Sequence, residues 1–332
     1  METRTKTMLK LAVIFGILVI VVPVVLGAWL MLRKPLKVDA WMSRLALDRN
    51  GLETTTIETT AGEMTVWRGG SGTPMVLLHG AGDQAGAWAR AVAPLVASYR
   101  VIIPDLPGHW HSDPGDGPLG IDQVLDGVAA VMDDCCSSEP AIVVGNSMGA
   151  WVAFLYAVEH PDRIERLVAV NGGPVREENP RVNLFPTNVD EARQTMKGLM
   201  GPNTLLPPNF VLRDVVRHAA TGPPARLAQW FAGLGQEADA YVLDGRLDEV
   251  TVPVDLVWGD ADELFDLDYA QRLLDGLPAV RMTPIKDCGH VPHRECPDRF
   301  LKALTAALDQ PPPEPKTVPE VSEAAEDAGG TE

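Results

Sequence analysis

The feature that most constrains the fold is a series of short, almost continuous apolar runs in the middle of the chain. Stretches with a helical pattern separate several of these runs, as at 121–132 and 149–160. The runs occupy residues 75–79, 101–105, 141–145, 167–171, 254–259 and 280–285. Apolar strands that alternate with helices are typical of a mostly parallel sheet covered by helices on both faces. The sequence therefore predicts an α/β fold whose core consists of residues 52–174 and 251–309.

A long segment separates the fourth apolar run from the fifth. It holds several short helical patterns broken by Pro and Gly, and its length of about 80 residues is too great for a surface loop. We therefore expect a helical cap at residues 175–250, lying over one edge of the sheet.

The N-terminal segment has the length and composition of a membrane helix. Residues 11–32 carry no charge, and a helix of that length would extend about 33 Å, enough to cross a bilayer. A cleavable signal peptide is the alternative, but its apolar region would normally be shorter. We expect an uncleaved, single-pass anchor at residues 1–34. Basic residues flank the run on both sides and are more numerous after it, which favours a cytoplasmic position for the rest of the chain.

Composition excludes some functions. With 28 Lys and Arg against 45 Asp and Glu, the formal net charge is -17, so a nucleic-acid partner is not expected. Residues 310–332 are acidic, rich in Pro and free of aromatic residues, which predicts a disordered tail. The four cysteines are Cys135, Cys136, Cys288 and Cys296. They lack metal-binding spacing, and we expect free thiols and no metal.

One motif combines a nucleophile with the turn that would expose it. The apolar run at 141–145 leads directly into Gly145-Asn146-Ser147-Met148-Gly149, and a helical pattern follows. This G-x-S-x-G sequence between a strand and a helix is typical of a nucleophile elbow. Glycines are required there because the turn is sharp and the neighbouring backbone is close. Ser147 is therefore the predicted nucleophile.

A serine hydroxyl needs a histidine as its base and an acid behind that histidine. His290 follows the last apolar run, and several acids follow the run at 254–259. The chain order serine, acid, histidine is the one expected for this kind of fold. Five of the seven histidines occupy places that do not suit the role. His293 is the close rival to His290, and we interpret it as a loop residue without an orienting partner.

Together these residues resemble those of α/β-hydrolases, and in particular of membrane-anchored monoacylglycerol lipases. The resemblance covers roughly residues 60–308 and extends to the N-terminal anchor. It rests on the segments His79–Gly82, Pro104–His109, Gly145–Gly149, Trp258–Asp262 and Cys288–His290. It implies that Asp262, three residues after the strand-end Gly259, completes the triad. Asp260 and Asp266 would then be solvated loop charges or helix caps.

The resemblance also implies an oxyanion hole and a reaction. The hole would be formed by the backbone N–H groups of Ala81 and Met148. The enzyme would cleave carboxylic esters, in particular of lipids such as monoacylglycerols, through an acyl-enzyme and without a metal or other cofactor. Its partners would be a hydrophobic ester and the bilayer. Apolar cap side chains could line an acyl-chain pocket, or could simply pack the cap onto the core. The substrate-binding candidates are Phe185, Leu206, Phe210 and Trp230, with Leu184, Leu205 and Phe231 beside them.

Two alternatives remain open at this point. Carbon–carbon bond hydrolases share the Gly-Asn-Ser elbow, and a small-molecule esterase would use the same residues. A non-catalytic, membrane-tethered binding protein is the alternative from another class. The retention of Ser147, His290 and the elbow glycines disfavours it.

Overall fold

The structure is a computed structural model. In the part of the chain that it describes, eight strands form one sheet at the centre of the molecule. The structure describes residues 2–178 and 180–316, with the backbone alone for 2–7 and 9–14. The strands are β1 (Glu53–Thr59), β2 (Gly62–Gly70), β3 (Pro74–Leu78), β4 (Arg100–Pro104), β5 (Ala141–Asn146), β6 (Ile164–Val170), β7 (Val254–Gly259) and β8 (Val280–Ile285). Their order is β1-β2-β4-β3-β5-β6-β7-β8, antiparallel from β1 to β4 and parallel from there to β8.

Helices cover both faces of this sheet. The helices of the described residues are α1 (Glu2–Arg33), α2 (Pro35–Arg49), α3 (Val92–Ser98), α4 (Ile121–Cys135), α5 (Met148–Glu159), α6 (Val189–Leu199), α7 (Asn209–Thr221), α8 (Pro223–Gly233), α9 (Leu267–Gly276), α10 (Pro292–Glu295) and α11 (Pro297–Leu308). Successive side chains of β3 belong to two separate apolar cores, one on each face of the sheet. Val76 is in the core that includes residues of α4, α5 and α9, and Leu77 is in the core that includes residues of α2, α3 and α11. Strands buried on both sides explain the continuous apolar runs. The predicted mostly parallel sheet flanked by helices is confirmed.

The hairpin of β1 and β2 was not predicted from the sequence. β1 has four exposed threonine and glutamate residues at its start and one buried side chain, Ile57. An edge strand with one solvated face shows no continuous apolar run, so the pattern that identified the central strands could not detect it.

The N-terminal helix α1 is followed almost at once by α2. Within α1, Phe15–Arg33 is long and apolar enough to cross a membrane, and none of that segment is buried against the rest of the protein. A signal sequence would have the same properties. Helix α2, which the sequence analysis did not predict, buries Ala40, Arg44 and Leu47 against the core. It therefore fixes the end of α1 to the folded domain.

Three helices, α6 to α8, lie between β6 and β7, where the sequence predicts the cap. At the other end of the chain, residues 317–332 of the predicted tail lie outside the described residues. The start of that tail is held on the domain, since the backbone N–H of Lys316 donates to the carbonyl oxygen of Pro278 at 2.9 Å.

The expectation of four free thiols is wrong for one pair. Cys288 and Cys296 form a disulfide, with Cα atoms 6.5 Å apart, whereas Cys135 and Cys136 are free and buried. The short helix α10 lies between the two cysteines in the chain and brings them close together. A spacing of eight residues does not by itself predict such a disulfide. Glu295 lies close to both sulfur atoms, but sulfurs bonded to each other offer no thiolate to a metal.

Candidate active site

Ser147 is the single residue between strand β5 and helix α5. Its backbone has φ 55° and ψ −118°, a conformation that a residue with a side chain rarely adopts. The elbow glycines permit it because a Cβ on Gly145 would lie 2.5 Å from the Ala150 nitrogen, and one on Gly149 would lie 2.7 Å from the Leu78 carbonyl carbon. The strained turn therefore presents the serine at the carboxyl edge of the sheet.

His290 and Asp262 meet beside this serine. The Nδ1 atom of His290 lies 2.8 Å from Oδ2 of Asp262, and both side chains are buried. The other carboxylate oxygen, Oδ1, accepts hydrogen bonds from the backbone N–H groups of Leu264 at 2.8 Å and Phe265 at 3.2 Å. A carboxylate surrounded by donors acts as an acceptor, so Nδ1 carries the proton and Nε2 is left as a base.

Two asparagines that the sequence analysis did not single out hold this pair. Nδ2 of Asn171 donates to Oδ2 of Asp262 at 2.9 Å, and its Oδ1 accepts from the backbone N–H of Gly259 at 2.8 Å. Asn146 donates to the carbonyl oxygen of His290 at 2.9 Å. Both are buried: Asn146 is the last residue of β5, and Asn171 directly follows the neighbouring strand β6. A polar residue at the end of a buried strand was the signal that could have identified them.

Ser147, His290 and the turn Gly80–Gly82 line one cavity of about 210 Å³. The turn approaches the nucleophile closely: a Cβ on Gly80 would lie 3.2 Å from the Cβ of Ser147. Ala81 lies on the cavity wall, and Met148 begins helix α5, whose N-terminal end carries a partial positive charge. The structure thus brings the three predicted triad residues and both predicted oxyanion residues to one place.

The neutral side chain of His79 stabilises the turn Gly80–Gly82 through hydrogen bonds. Nε2 of His79 accepts a hydrogen bond from the backbone N–H of Leu106 at 3.0 Å. Nδ1 must therefore carry the proton, and it donates to the carbonyl oxygen of Gly80 at 2.8 Å. Complete burial lowers the pKa of His79 to about 4, so the ring is neutral at pH 7 and this arrangement is maintained.

The remaining histidine and acids occupy other positions. His293, expected in a loop, lies in α10 and is fully buried against Trp88, with ring centroids 4.2 Å apart. Asp266 caps α9 by accepting from the backbone of Asp268 and Tyr269. Asp260 accepts from the backbone N–H of Asp287.

The cap candidates divide between two cavities and the surface. Leu184 lines the catalytic cavity, and it also lines a second, largely apolar cavity of about 480 Å³ to which Phe185 and Phe231 contribute. Trp230 lines neither of these two cavities and packs instead against Tyr241. Leu206 and Phe210 are half-buried and also line neither, while Leu205 is 93% exposed.

Comparison with known proteins gives the family. Residues 75–303 match the model of the "Alpha/beta hydrolase family". The chain belongs to the α/β-hydrolase family. The expected resemblance is confirmed at this level, although the closer likeness to monoacylglycerol lipases is not specifically shown.

One sequence relative and two solved structures of similar fold resemble this α/β-hydrolase. A 2-hydroxy-6-oxononadienedioate/2-hydroxy-6-oxononatrienedioate hydrolase of Cupriavidus pinatubonensis is 30% identical over 239 residues, which is 65% of this chain and 80% of that protein. Among solved structures, a putative lipase from Acinetobacter baumannii has a TM-score of 0.69 at 19% identity, covering 81% of this chain and 95% of its own. A bacterial membrane phospholipase A has a TM-score of 0.70 at 24% identity, covering 93% and 98%.

Proposed function

We propose that this α/β-hydrolase is a serine hydrolase that cleaves carboxylic esters with an apolar acyl chain. The observation that carries the proposal is the convergence of Ser147, His290 and the turn Gly80–Gly82 on a single cavity with largely apolar walls. The base is oriented by Asp262.

The geometry supports a two-step mechanism. His290 Nε2 takes the proton from the Ser147 hydroxyl while its oxygen attacks the ester carbonyl carbon. The N–H groups of Met148 and Ala81 stabilise the resulting oxyanion, and in enzymes of this kind each such donor contributes roughly 10²–10³ in rate. The protonated His290 then gives its proton to the leaving alcohol. A water activated by His290 hydrolyses the acyl-enzyme.

The cavities favour an apolar substrate. The second cavity shares the wall residues Leu184 and Leu264 with the catalytic cavity, and we expect an acyl chain that starts at Ser147 to extend towards it. Neither arginine nor lysine is among the residues that line the catalytic cavity. A substrate with a carboxylate close to its reacting carbon would therefore be buried without a cationic partner, which is unfavourable.

The helix Phe15–Arg33 supports a lipid as the source of that chain. A catalytic domain joined to a membrane-spanning helix encounters substrates that partition into the bilayer. Membrane anchoring and a lipid such as a monoacylglycerol are thus parts of the same proposal.

Carbon–carbon bond hydrolysis is the second candidate, and the sequence relatives support it more than they support lipid ester cleavage. The hydrolase of Cupriavidus pinatubonensis is named for a dienedioate, a substrate with two carboxylates. The same serine, histidine and oxyanion donors would serve that reaction. Among the described residues, no Arg or Lys lines the catalytic cavity, and this feature favours esters. Arg176 lines the second cavity, but it is paired with Asp239 and Asp244.

The test compares the two substrate classes on the detergent-solubilised full chain. It would use a chain-length series of monoacylglycerols, a 2-hydroxy-6-oxo-dienoate, and a fluorophosphonate that labels activated serines. We expect turnover of medium or long acyl chains and labelling of the protein, both lost in Ser147→Ala and retained in the exposed control Ser71→Ala. Cleavage of the dienoate alone would establish the second candidate. Absence of labelling in the unmodified protein would exclude a serine nucleophile.

A further inference from the structure

The carboxylate of Glu295 joins two parts of the molecule that meet at the active site. Its Oε1 accepts a hydrogen bond from the backbone N–H of Gly289, the residue before His290. Its Oε2 accepts from the backbone N–H of Gly201 at 2.9 Å and from the hydroxyl of Thr204 at 2.8 Å. Gly201 and Thr204 belong to the connection between the cap helices α6 and α7. One half-buried side chain therefore receives three donors from two separate segments.

The backbones of these segments are in direct contact. The N–H of His290 donates to the carbonyl oxygen of Leu199 at 2.8 Å, so the cap also binds the histidine itself. A Cβ on Gly289 would lie 2.8 Å from the nitrogen of Gly201. Since no side chain separates them, we expect a displacement of the cap segment to shift the backbone of His290.

The same cap segment reaches the loop that carries the acid. The backbone N–H of Glu263, the residue after Asp262, donates to the carbonyl oxygen of Gly198 at 3.0 Å. Residues 198–201 thus contact both triad loops. Glu295 is the side chain that ties the end of this segment to the histidine loop.

We propose that Glu295 is a positioning residue that couples the cap to His290. The role rests on the proposed function, since it acts through the histidine of the triad. Hydrogen bonds to a charged group contribute more than neutral ones, so the carboxylate holds the cap connection and the histidine loop in one arrangement. A displacement of about 1 Å at a catalytic group can lower a rate about 10²-fold.

The test measures the rate at which a fluorophosphonate labels Ser147, because this reaction requires the triad and the oxyanion hole but no particular substrate. We expect Glu295→Ala to lower the labelling rate per folded molecule about tenfold or more. Glu295→Gln keeps one acceptor oxygen and should restore part of the rate. Thr204→Val removes a single donor and should lower it about two- to threefold, and it should have no further effect in the Glu295→Ala background. The control is Glu249→Gln, because Glu249 is exposed and forms an ion pair with Arg246 at the surface.

The outcomes separate this role from a purely structural one. A residue that only stabilises the fold would lower the melting temperature and leave the labelling rate of the folded protein unchanged, and that result would overturn the proposal. Additive effects of the Thr204 and Glu295 substitutions would overturn it as well. If Glu295→Ala does not fold, the labelling rates of Glu295→Gln and Thr204→Val test the same proposal. Labelling of the unmodified protein shows separately whether the serine is activated, and its failure would remove both proposals.

Discussion

His290 and His293 are three residues apart and have opposite environments. Nδ1 of His290 is bound to Asp262, whereas neither ring nitrogen of His293 has a hydrogen-bond partner among the described residues. His293 is stacked on Trp88 and fully buried, and this burial lowers its pKa to about 3. It acts as an aromatic core residue that also carries a titratable group.

This environment predicts an acid-sensitive fold. In the unfolded chain a histidine has a pKa near 6.5, so as the pH falls from about 6.5 toward 3 the unfolded state binds the proton and the folded state does not. The free energy of unfolding is therefore highest above pH 6.5 and decreases below it, by up to about 1.4 kcal/mol per pH unit for this group. We expect His293→Phe to remove that contribution. Urea unfolding at several pH values, with the exposed His160→Gln as control, would measure it, and equal pH slopes for the variant and the unmodified protein would contradict it.

The sequence predicts the role of a residue when that role can be recognised from the neighbouring residues in the chain. Ser147 lies in a five-residue motif, and His290 and Asp262 follow strands that are recognisable from their composition. Asn171 and Glu295 could not be assigned in this way, because their roles depend on partners 91 and 94 residues away. A long-range hydrogen bond leaves no pattern in the neighbouring sequence.

At the level of elements, the elbow depends on the strand beside it as well as on its own glycines. Gly172 follows strand β6, and a Cβ placed there would lie 2.6 Å from the Cα of Ser147. Because the contact is with backbone, a side chain at position 172 could be accommodated only by moving the turn that holds the nucleophile.

We therefore expect Gly172→Ala to reduce the labelling rate of Ser147 at least tenfold and to destabilise the fold by about 1–3 kcal/mol. Gly233, at the end of α8, has open space where a Cβ would be, so Gly233→Ala is the matched control and should leave both quantities nearly unchanged. A labelling rate for Gly172→Ala equal to that of the control would show that the turn tolerates displacement.

Elements were predicted well where burial produces a pattern. Strands β3 and β5 to β7 are buried on both faces, and their apolar runs identify them within one or a few residues. β1 and α2 are each buried on one face only, and α2 buries Arg44, which is paired with Asp105 at 2.5 Å. Because a charged residue is normally expected at the surface, the sequence does not reveal that Arg44 is buried in an ion pair. The helix was therefore not recognised.

In the whole molecule, α2 links the N-terminal helix to the catalytic centre. Arg294, in α10 close to His290, forms ion pairs with Asp39 of α2 at 2.7 Å and with Asp83 at 2.8 Å. Asp83 directly follows the turn that carries Ala81. The backbone N–H of Leu36 also donates to the cap residue Asp214 at 3.1 Å. The end of α1 is thus connected to the turn Gly80–Gly82, to the loop that carries His290 and to the cap.

The disulfide between Cys288 and Cys296 bears on which side of a membrane the domain occupies. Disulfides persist in oxidising compartments and are rare in the cytosol, so this pair favours the face opposite to the one that the basic residues after α1 favour. We expect a maleimide added to denatured, unreduced protein from intact cells to modify Cys135 and Cys136 alone. Four modified thiols before reduction would place the domain in the cytosol. On the proposed function, an anchored domain that keeps its disulfide would draw its lipids from the leaflet facing away from the cytoplasm and release the cleaved acids on that side.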